Sequence, residues 1–416
     1  MKTLINSERL WAQVNTLAEM TLPDVPWTRR AFTPLFLEAR TWLTQKMTAA
    51  GLTVSLDEGG NLIGRRAGRQ ASLAPLVIGS HCDTVVGGGR YDGIIGVLAG
   101  IEIAHSLHEQ GIELEHPFEV IDFLSEEPSD YGISCVGSRA MSGELDAGML
   151  ASKNAQGETL AAAMARMGAR PEKLQQPLRT QGGTAAYIEL HIEQGPVLER
   201  QRLPIGVVTH IVGIRRVLIT VTGQPDHSGT TPMDIRRDAL VGAAEVIQQA
   251  HAAASAQSGN PHYVVATIGR IAMTPNVPNA VPGRVELMLE VRSDSQQVLD
   301  TFPEELLAVC QPRLQALDLE GELQHVSRAR PTACAENVMQ AISDAAASLG
   351  LASQSLPSGA GHDAVYMAPT GPVGMVFIPC LNGRSHCPEE SITEQQLADG
   401  ARVLGQALLN LDKQLS

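Results

Sequence analysis

The distribution of apolar runs in this 416-residue chain predicts a two-domain α/β protein, with a ferredoxin-like βαββαβ unit inserted into a larger domain that has a mostly parallel sheet. Three observations predict it. The length exceeds what one ordinary core organises. Short, wholly apolar runs alternate with long helical periods at the front of the chain and again after Arg330. Between about residues 213 and 328 the pattern becomes strand, helix, strand, strand, helix, strand. The expected boundaries are therefore 1–212 with 329–416 for the larger domain and 213–328 for the insert.

In chain order, residues 1–70 read as helices followed by a strand–turn–strand, turning at Glu58-Gly59-Gly60-Asn61. Pro75–Gly79 is an apolar run of the buried-strand kind, followed by Gly87-Gly88-Gly89, Asp92 and a helical pattern from Ile94 to Leu107. Phe118–Leu124 is the next buried-strand candidate and ends at Glu126-Glu127. In the insert, Val217–Thr222 is expected as a strand. Thr231-Pro232 reads as N-cap and N1 of a helix carrying Ile235, Ala239, Leu240, Ala243, Ile247 and Ala250 on its apolar stripe. Val285, Leu287, Leu289 and Val291 alternate with Glu286, Met288, Glu290 and Arg292, the period of a half-buried strand. A helix around 337–347 and a strand around 373–379 complete the larger domain.

Composition narrows the function. A formal net charge of -14 supplies no basic field for nucleic acid. No run approaches the ~20 apolar residues of a membrane span, and the N-terminus lacks an apolar signal region. The cysteines, at 82, 135, 310, 334, 380 and 387, form no CxxC pair. That pattern is expected of reduced thiols in a cytoplasmic protein rather than of a disulfide frame or a thiolate zinc site.

The chemistry-bearing residues gather where strands should end. His81, Asp92, Glu127, His191 and His386 each lie in or beside a polar or glycine-bearing turn after an apolar run. In open α/β sheets the carboxyl ends of strands converge, so positions far apart in sequence can share one site. Three imidazoles and two carboxylates without thiolate suit Zn²⁺ or Mn²⁺, with Co²⁺ also admissible, and one bridging carboxylate, expected at Asp92, would let them hold two divalent ions.

These residues stand in longer motifs. Gly79–Thr84 (GSHCDT), Tyr91-Asp92-Gly93, Ser125-Glu126-Glu127, Glu189–Pro196 (ELHIEQGP), His227–Met233 (HSGTTPM), Pro278–Gly283 (PNAVPG), Ser358–Ala364 (SGAGHDA) and Ser385–Glu390 (SHCPEE) occur in one order along the chain. Together they resemble the hydantoinase/carbamoylase branch of the M20 metallopeptidase family. The resemblance implies a metal-dependent, exopeptidase-like α/β catalytic domain with a ferredoxin-like lid and dimerisation domain. It assigns His81, His191 and Asp92 to one ion, and Glu127, His386 and the shared Asp92 to the other. Asp83 would orient His81, and Glu126 would act as general base. It further implies that His227 stabilises the oxyanion and that Asn279 and Arg292 bind substrate, with His227 and Asn279 reaching the partner subunit of a homodimer. Gln194 and His362 would add substrate contacts. One departure is local: Pro128-Ser129-Asp130 follows the paired glutamates, where many relatives carry glycine and, two residues on, arginine.

The implied activity is hydrolysis of a linear amide or ureido C–N bond in a small carboxylate-bearing substrate, with ureidoglycolate, allantoate and N-carbamoyl-L-amino acids as candidates. Two alternatives stand beside it: an aminoacylase or dipeptidase of the wider family, and a catalytically silent relative that binds a small acid.

Overall fold

Four apolar runs become strands buried along their whole length, and they form the centre of the larger sheet. The structure, a computed structural model, describes residues 4–416. In chain order the strands are β1 (Thr53–Leu56), β2 (Leu62–Arg66), β3 (Leu76–His81), β4 (Phe118–Phe123), β5 (Ala186–Ile192), β6 (Ile205–Ile211), β7 (Gly213–Thr222), β8 (Val264–Thr274), β9 (Arg284–Ser293), β10 (Glu320–Ala329), β11 (Thr332–Ala333), β12 (Ser353–Ser358) and β13 (Val373–Ile378). The large sheet runs β1-β2-β4-β3-β5-β13-β6-β11, with β12 also on β6. Its fully buried strands β4, β3, β5 and β13 are mutually parallel, as expected for a sheet covered on both faces. The expectation of a mostly parallel sheet holds only for this centre. β1, β2 and β6 pair antiparallel at the flanks.

Chain contacts divide the molecule into Met1–Thr209 with Cys334–Ser416, and His210–Ala333. In the first unit the helix Ile94–Glu109, here α1, lies almost wholly inside the core. Gly96 is where it comes closest to the sheet: a Cβ there would meet the Leu190 carbonyl at 2.6 Å and the Ser80 side chain at 2.7 Å. That approach matters because Ser80 and Leu190 immediately precede His81 and His191. The helix Glu394–Leu415 opens on a capping box between Thr393 and Gln396, and buries Leu397, Leu404, Leu408 and Leu411.

The second unit follows the order β7, helix Ala239–Gln257, β8, β9, helix Gln296–Ala316, β10, and its sheet runs β10-β7-β9-β8, antiparallel throughout. The alternation read in β9 is present: Val285, Leu287, Leu289 and Val291 share one core with apolar residues of both helices. The first of those helices begins later than the proline signal predicts. Pro232 is extended, Met233–Ile235 is a single 3-10 turn, and Asp238 is the N-cap, its side chain accepting from Leu240 N–H. The reason is competition. The Gln224 N–H donates to the Arg237 carbonyl and His227 bridges Ala280, so residues 224–237 spend their backbone groups outside a helix. Leu240 and Ile247, expected on the buried stripe, are 36% and 40% exposed.

All six cysteines are free. Among the described residues no helix is long and apolar enough to cross a membrane.

Overpacking at the α1 approach generates a stability prediction. Gly96→Ala should destabilise the first unit by about 1–3 kcal/mol, read as a lower urea midpoint. Gly269→Ala, where a Cβ meets nothing within 4 Å, should leave the midpoint unchanged.

Candidate metal centre

The five expected ligands are delivered by the ends of four strands and the loops after them. His81 is the last residue of β3, and His191 the penultimate residue of β5. Glu127 follows β4, His386 follows β13, and Asp92 sits in the turn that starts α1. The parallel registers His81↔Phe123 and His191↔Phe377 align these ends on one edge of the sheet. The structure brings all five together. Ligand atoms of His81, Asp92 and His191 lie within 4.8 Å of one another, as do those of Asp92, Glu127 and His386.

Asp92 is the shared member. Its Oδ1 lies 3.0 Å from His191 Nε2, and its Oδ2 lies 3.0 Å from His386 Nε2. His386 Nε2 is also 3.1 Å from Glu127 Oε1. The tautomers test whether cations fit. His81 Nδ1 is 3.0 Å from the Asp83 carbonyl and His191 Nδ1 is 2.9 Å from the Ile192 carbonyl. A carbonyl only accepts, so Nδ1 carries the proton in both rings and each Nε2 presents a lone pair. In His191 that lone pair faces a carboxylate oxygen, an arrangement that repels unless a cation or a proton lies between. His386 Nε2 faces two carboxylates at once, an acceptor-rich position that also suits a cation. The fit to divalent cations is good, and the donors are imidazole and carboxylate without thiolate.

Charge points the same way. The ion-pair partners of Asp83, Asp92, Glu126 and Glu127 are all imidazoles. Burial works to raise Asp92, but the hydrogen bonds from His191 and His386 outweigh it and hold the carboxyl well below the usual range. Hydrogen bonding to Asp92 and Glu127 carries His386 up to about 11. Burial would lower His81, yet Glu126, Asp83, Asp92 and Glu127 hold it well above an ordinary histidine.

Asp83 and Gln194 each make contacts beyond the expected ones. Asp83 does orient His81, but through its main-chain carbonyl. Its carboxylate, which burial raises to about 6, instead accepts the N–H groups of Glu126 and Glu127, both at 3.2 Å. Gln194 was expected to touch substrate. Its Nε2 donates to Asp92 Oδ2 at 3.2 Å and to Ser385 Oγ at 3.1 Å, which makes it a brace for the bridging carboxylate.

Glu126 and Glu127 diverge. Glu127 turns to His386, while Glu126 Oε2 stands 3.7 Å from His81 Nε2 and its Oε1 accepts from Cys135 Sγ at 3.6 Å. Burial, reinforced by Glu127, Asp363 and Asp83, pushes Glu126 well above an ordinary carboxyl, as a proton-shuttling base requires. The loop beyond is tied by Arg30, which donates to the Pro128 carbonyl and to Asp130, each at 2.7 Å.

His362 is buried, edge-on to His191 with ring centres 4.6 Å apart, and its Nε2 lies 2.9 Å from Ser358 Oγ. Burial and the neighbouring His191 keep it neutral, well below an ordinary histidine. In the second unit His227 is exposed, and its Nδ1 accepts the N–H groups of Gly229 and Thr230 at 3.0 and 3.2 Å, so Nε2 carries the proton and can donate. The Ser228 N–H donates to the Asn279 carbonyl, placing Asn279 beside the same turn. Arg292 pairs with Glu290 at 2.8 Å.

Sequence reasoning passed over Glu390 and Glu189. Glu189 is buried under His191, accepting from Ser80 and Tyr187 hydroxyls at 2.9 Å each. Glu390 accepts the Tyr91 and Asp92 N–H groups at 2.7 and 3.0 Å. The available signal for Glu390 was its place in Ser385–Glu390, only four residues after His386.

The Peptidase family M20/M25/M40 model matches residues 77–410. The chain is 38% identical to an N-carbamoyl-L-amino acid amidohydrolase of Geobacillus stearothermophilus over 96% of its own length and 97% of that protein's. It is 32% identical to a ureidoglycolate hydrolase of Oryza sativa subsp. japonica, over 99% of this chain and 86% of that one. Among solved structures, an amidase of the hydantoinase/carbamoylase family from Burkholderia multivorans superimposes with a TM-score of 0.90 at 37% identity, covering 98% of each chain.

The shared position of Asp92 predicts that Asp92→Ala abolishes retention of divalent metal at both ligand sets. Metal analysis after gel filtration checks this: stoichiometric metal in Asp92→Ala would contradict the geometry.

Proposed function

The chain belongs to peptidase family M20/M25/M40, and on that premise we propose that it is a dinuclear-metal amidohydrolase acting on a linear ureido or amide C–N bond of a small carboxylate-bearing substrate. One observation carries the reading: a single carboxylate, Asp92, divides its oxygens between two ligand sets, with a buried, non-ligating carboxyl, Glu126, alongside. His81, His191 and Asp92 would hold one Zn²⁺ or Mn²⁺, and Asp92, Glu127 and His386 the other. Ions so held supply a water of lowered pKa and Lewis-acid polarisation of the scissile carbonyl.

The protein's own groups do the rest. Glu126, pushed up by burial, takes the proton from the attacking water and returns it to the departing nitrogen, released as ammonia from a carbamoyl or ureido group. Asp83 holds the backbone of Glu126 and so its aim. His227, with its proton on Nε2, is suited to donate to an oxyanion, and the planar fork of Arg292 to a substrate carboxylate. Asn279 adds a substrate contact beside His227. The substrates in view are N-carbamoyl-L-amino acids, ureidoglycolate and allantoate, in keeping with the relatives' names. Six free cysteines suit a reducing, cytoplasmic setting.

We further propose a homodimer formed through the second unit. β8 is an edge strand, and the helix Ala239–Gln257 leaves Leu240, Val241 and Ile247 exposed.

Two tests follow. Glu126→Gln should keep its metal and lose about 10²–10⁴ in turnover, measured as ammonia release across ureido acids, with amine release from N-acyl amino acids and dipeptides as the competing outcome. Near-normal turnover in Glu126→Gln removes that residue from the chemistry. Light scattering should give twice the 44.3 kDa chain mass, reduced to one chain by Val241→Glu with Ile247→Glu. A monomeric parent protein would contradict the dimer.

A further inference from the structure

The hydrogen bonds around Asp92 close into a ring that the five ligands do not account for. Glu390 is 2% exposed. Its Oε1 accepts the Tyr91 and Asp92 N–H groups at 2.7 and 3.0 Å, and its Oε2 accepts the Ser385 hydroxyl at 2.6 Å. Ser385 Oγ accepts one N–H of the Gln194 amide at 3.1 Å, and Gln194 Nε2 donates to Asp92 Oδ2 at 3.2 Å. The ring thus runs from the backbone of Asp92 through three side chains to its own carboxylate. Glu390 accepts on both sides, Ser385 donates to Glu390 and accepts from Gln194, and the two N–H groups of the Gln194 amide serve Ser385 and Asp92, so no proton is donated twice. Gly89 belongs to the same construction, since the Glu390 carboxylate occupies the space a Cβ there would need.

The ring acts on one side of Asp92. Oδ1 faces His191, which stands on β5 and is locked by pairing with β13. Oδ2 faces His386, whose side chain is 48% exposed and whose backbone takes φ 53°, in the left-handed region that costs a non-glycine residue. His386 has no strand to hold it. Ser385, the residue before it, is tied to Glu390 and Gln194, and Gln194 also fixes Oδ2.

We propose that Glu390 is a positioning residue that sets the affinity of the ion shared by Asp92, Glu127 and His386, while the ion shared by His81, His191 and Asp92 does not depend on it. This rests on the two-ion reading above. The loops carrying Asp92 and His386 lie far apart in the sequence, and Glu390 joins them. Without it Asp92 keeps the start of α1 through its carbonyl, which accepts from Ile94 N–H at 2.8 Å, but the loop of His386 loses its direct hydrogen bonds to the loop of Asp92 and is left with the longer link through Ser385 and Gln194.

The test uses the full-length, metal-stripped protein titrated with Mn²⁺ by equilibrium dialysis and followed by electron paramagnetic resonance. The parent protein should take up two ions with a spin-coupled spectrum. Glu390→Ala should keep one ion at parental affinity, bind the second about 10- to 100-fold more weakly, and show an uncoupled spectrum at one equivalent and little coupling at two. Gly89→Ala, with Glu390 in place but displaced, should behave alike, and Ser385→Ala should shift the same ion by a smaller factor. Two ions at parental affinity in these variants, or equal weakening of both, overturns the proposal. If Glu390→Ala and Gly89→Ala fail to fold, Ser385→Ala decides alone, because it removes one hydroxyl and leaves the rest of the ring intact. A parent protein that binds fewer than two ions overturns the two-ion reading itself, a result seen before any substitution is compared.

Discussion

A buried carboxylate shared between two imidazoles is the constraint that organises the larger unit. Asp92 must present opposite oxygens to His191 and His386, so two elements from distant parts of the chain have to meet at a turn whose backbone cannot drift. Parallel strands with aligned carboxyl ends deliver the imidazoles of β3 and β5. The turn itself is held from both directions: α1 starts on it, and the Glu390 carboxylate fills the hollow beside Gly89. The glycine at 96, which lets α1 lie against the sheet one residue before each of two ligands, belongs to the same requirement.

The paired glutamates show how one dipeptide can supply two chemistries. Adjacent side chains leave the backbone in different directions, so Glu127 turns toward His386 and Glu126 toward Cys135 and His81. Both N–H groups are taken by Asp83, and Arg30 grips the Pro128 carbonyl. The loop's aim therefore owes nothing to the side chains whose aim it sets, and this separation lets Glu126 be replaced without collapsing the ligand set.

The candidate ligands were legible in the sequence because their signal is local: polar residues closing apolar runs or standing in the turns after them. The inserted unit was legible for the same reason, its periods of two and of about 3.6 being visible in β9 and in the helices. What failed depended on long-range competition. Thr231-Pro232 looks like a helix start, but the backbone there is claimed by Ala280 and by its own neighbours, so the helix waits for Asp238. Gln194 looked available for substrate until Ser385 and Asp92 were placed beside it. The burial of Glu390 could not be inferred, since the N–H groups it accepts lie some three hundred residues earlier in the chain.

The order of strands has a bearing on how the protein is made. β13 lies between β5 and β6, so the middle of the large sheet has a gap until the ribosome has delivered residues that come after the entire inserted unit. His386 is synthesised later still. At a translation rate of about 5–20 residues per second, it follows Asp92 by roughly a quarter of a minute to a minute. During that interval the nascent chain carries Asp92 and Glu127 without the imidazole of His386 that stands between them in the folded protein. The five candidate ligands are therefore all present only when synthesis is nearly over.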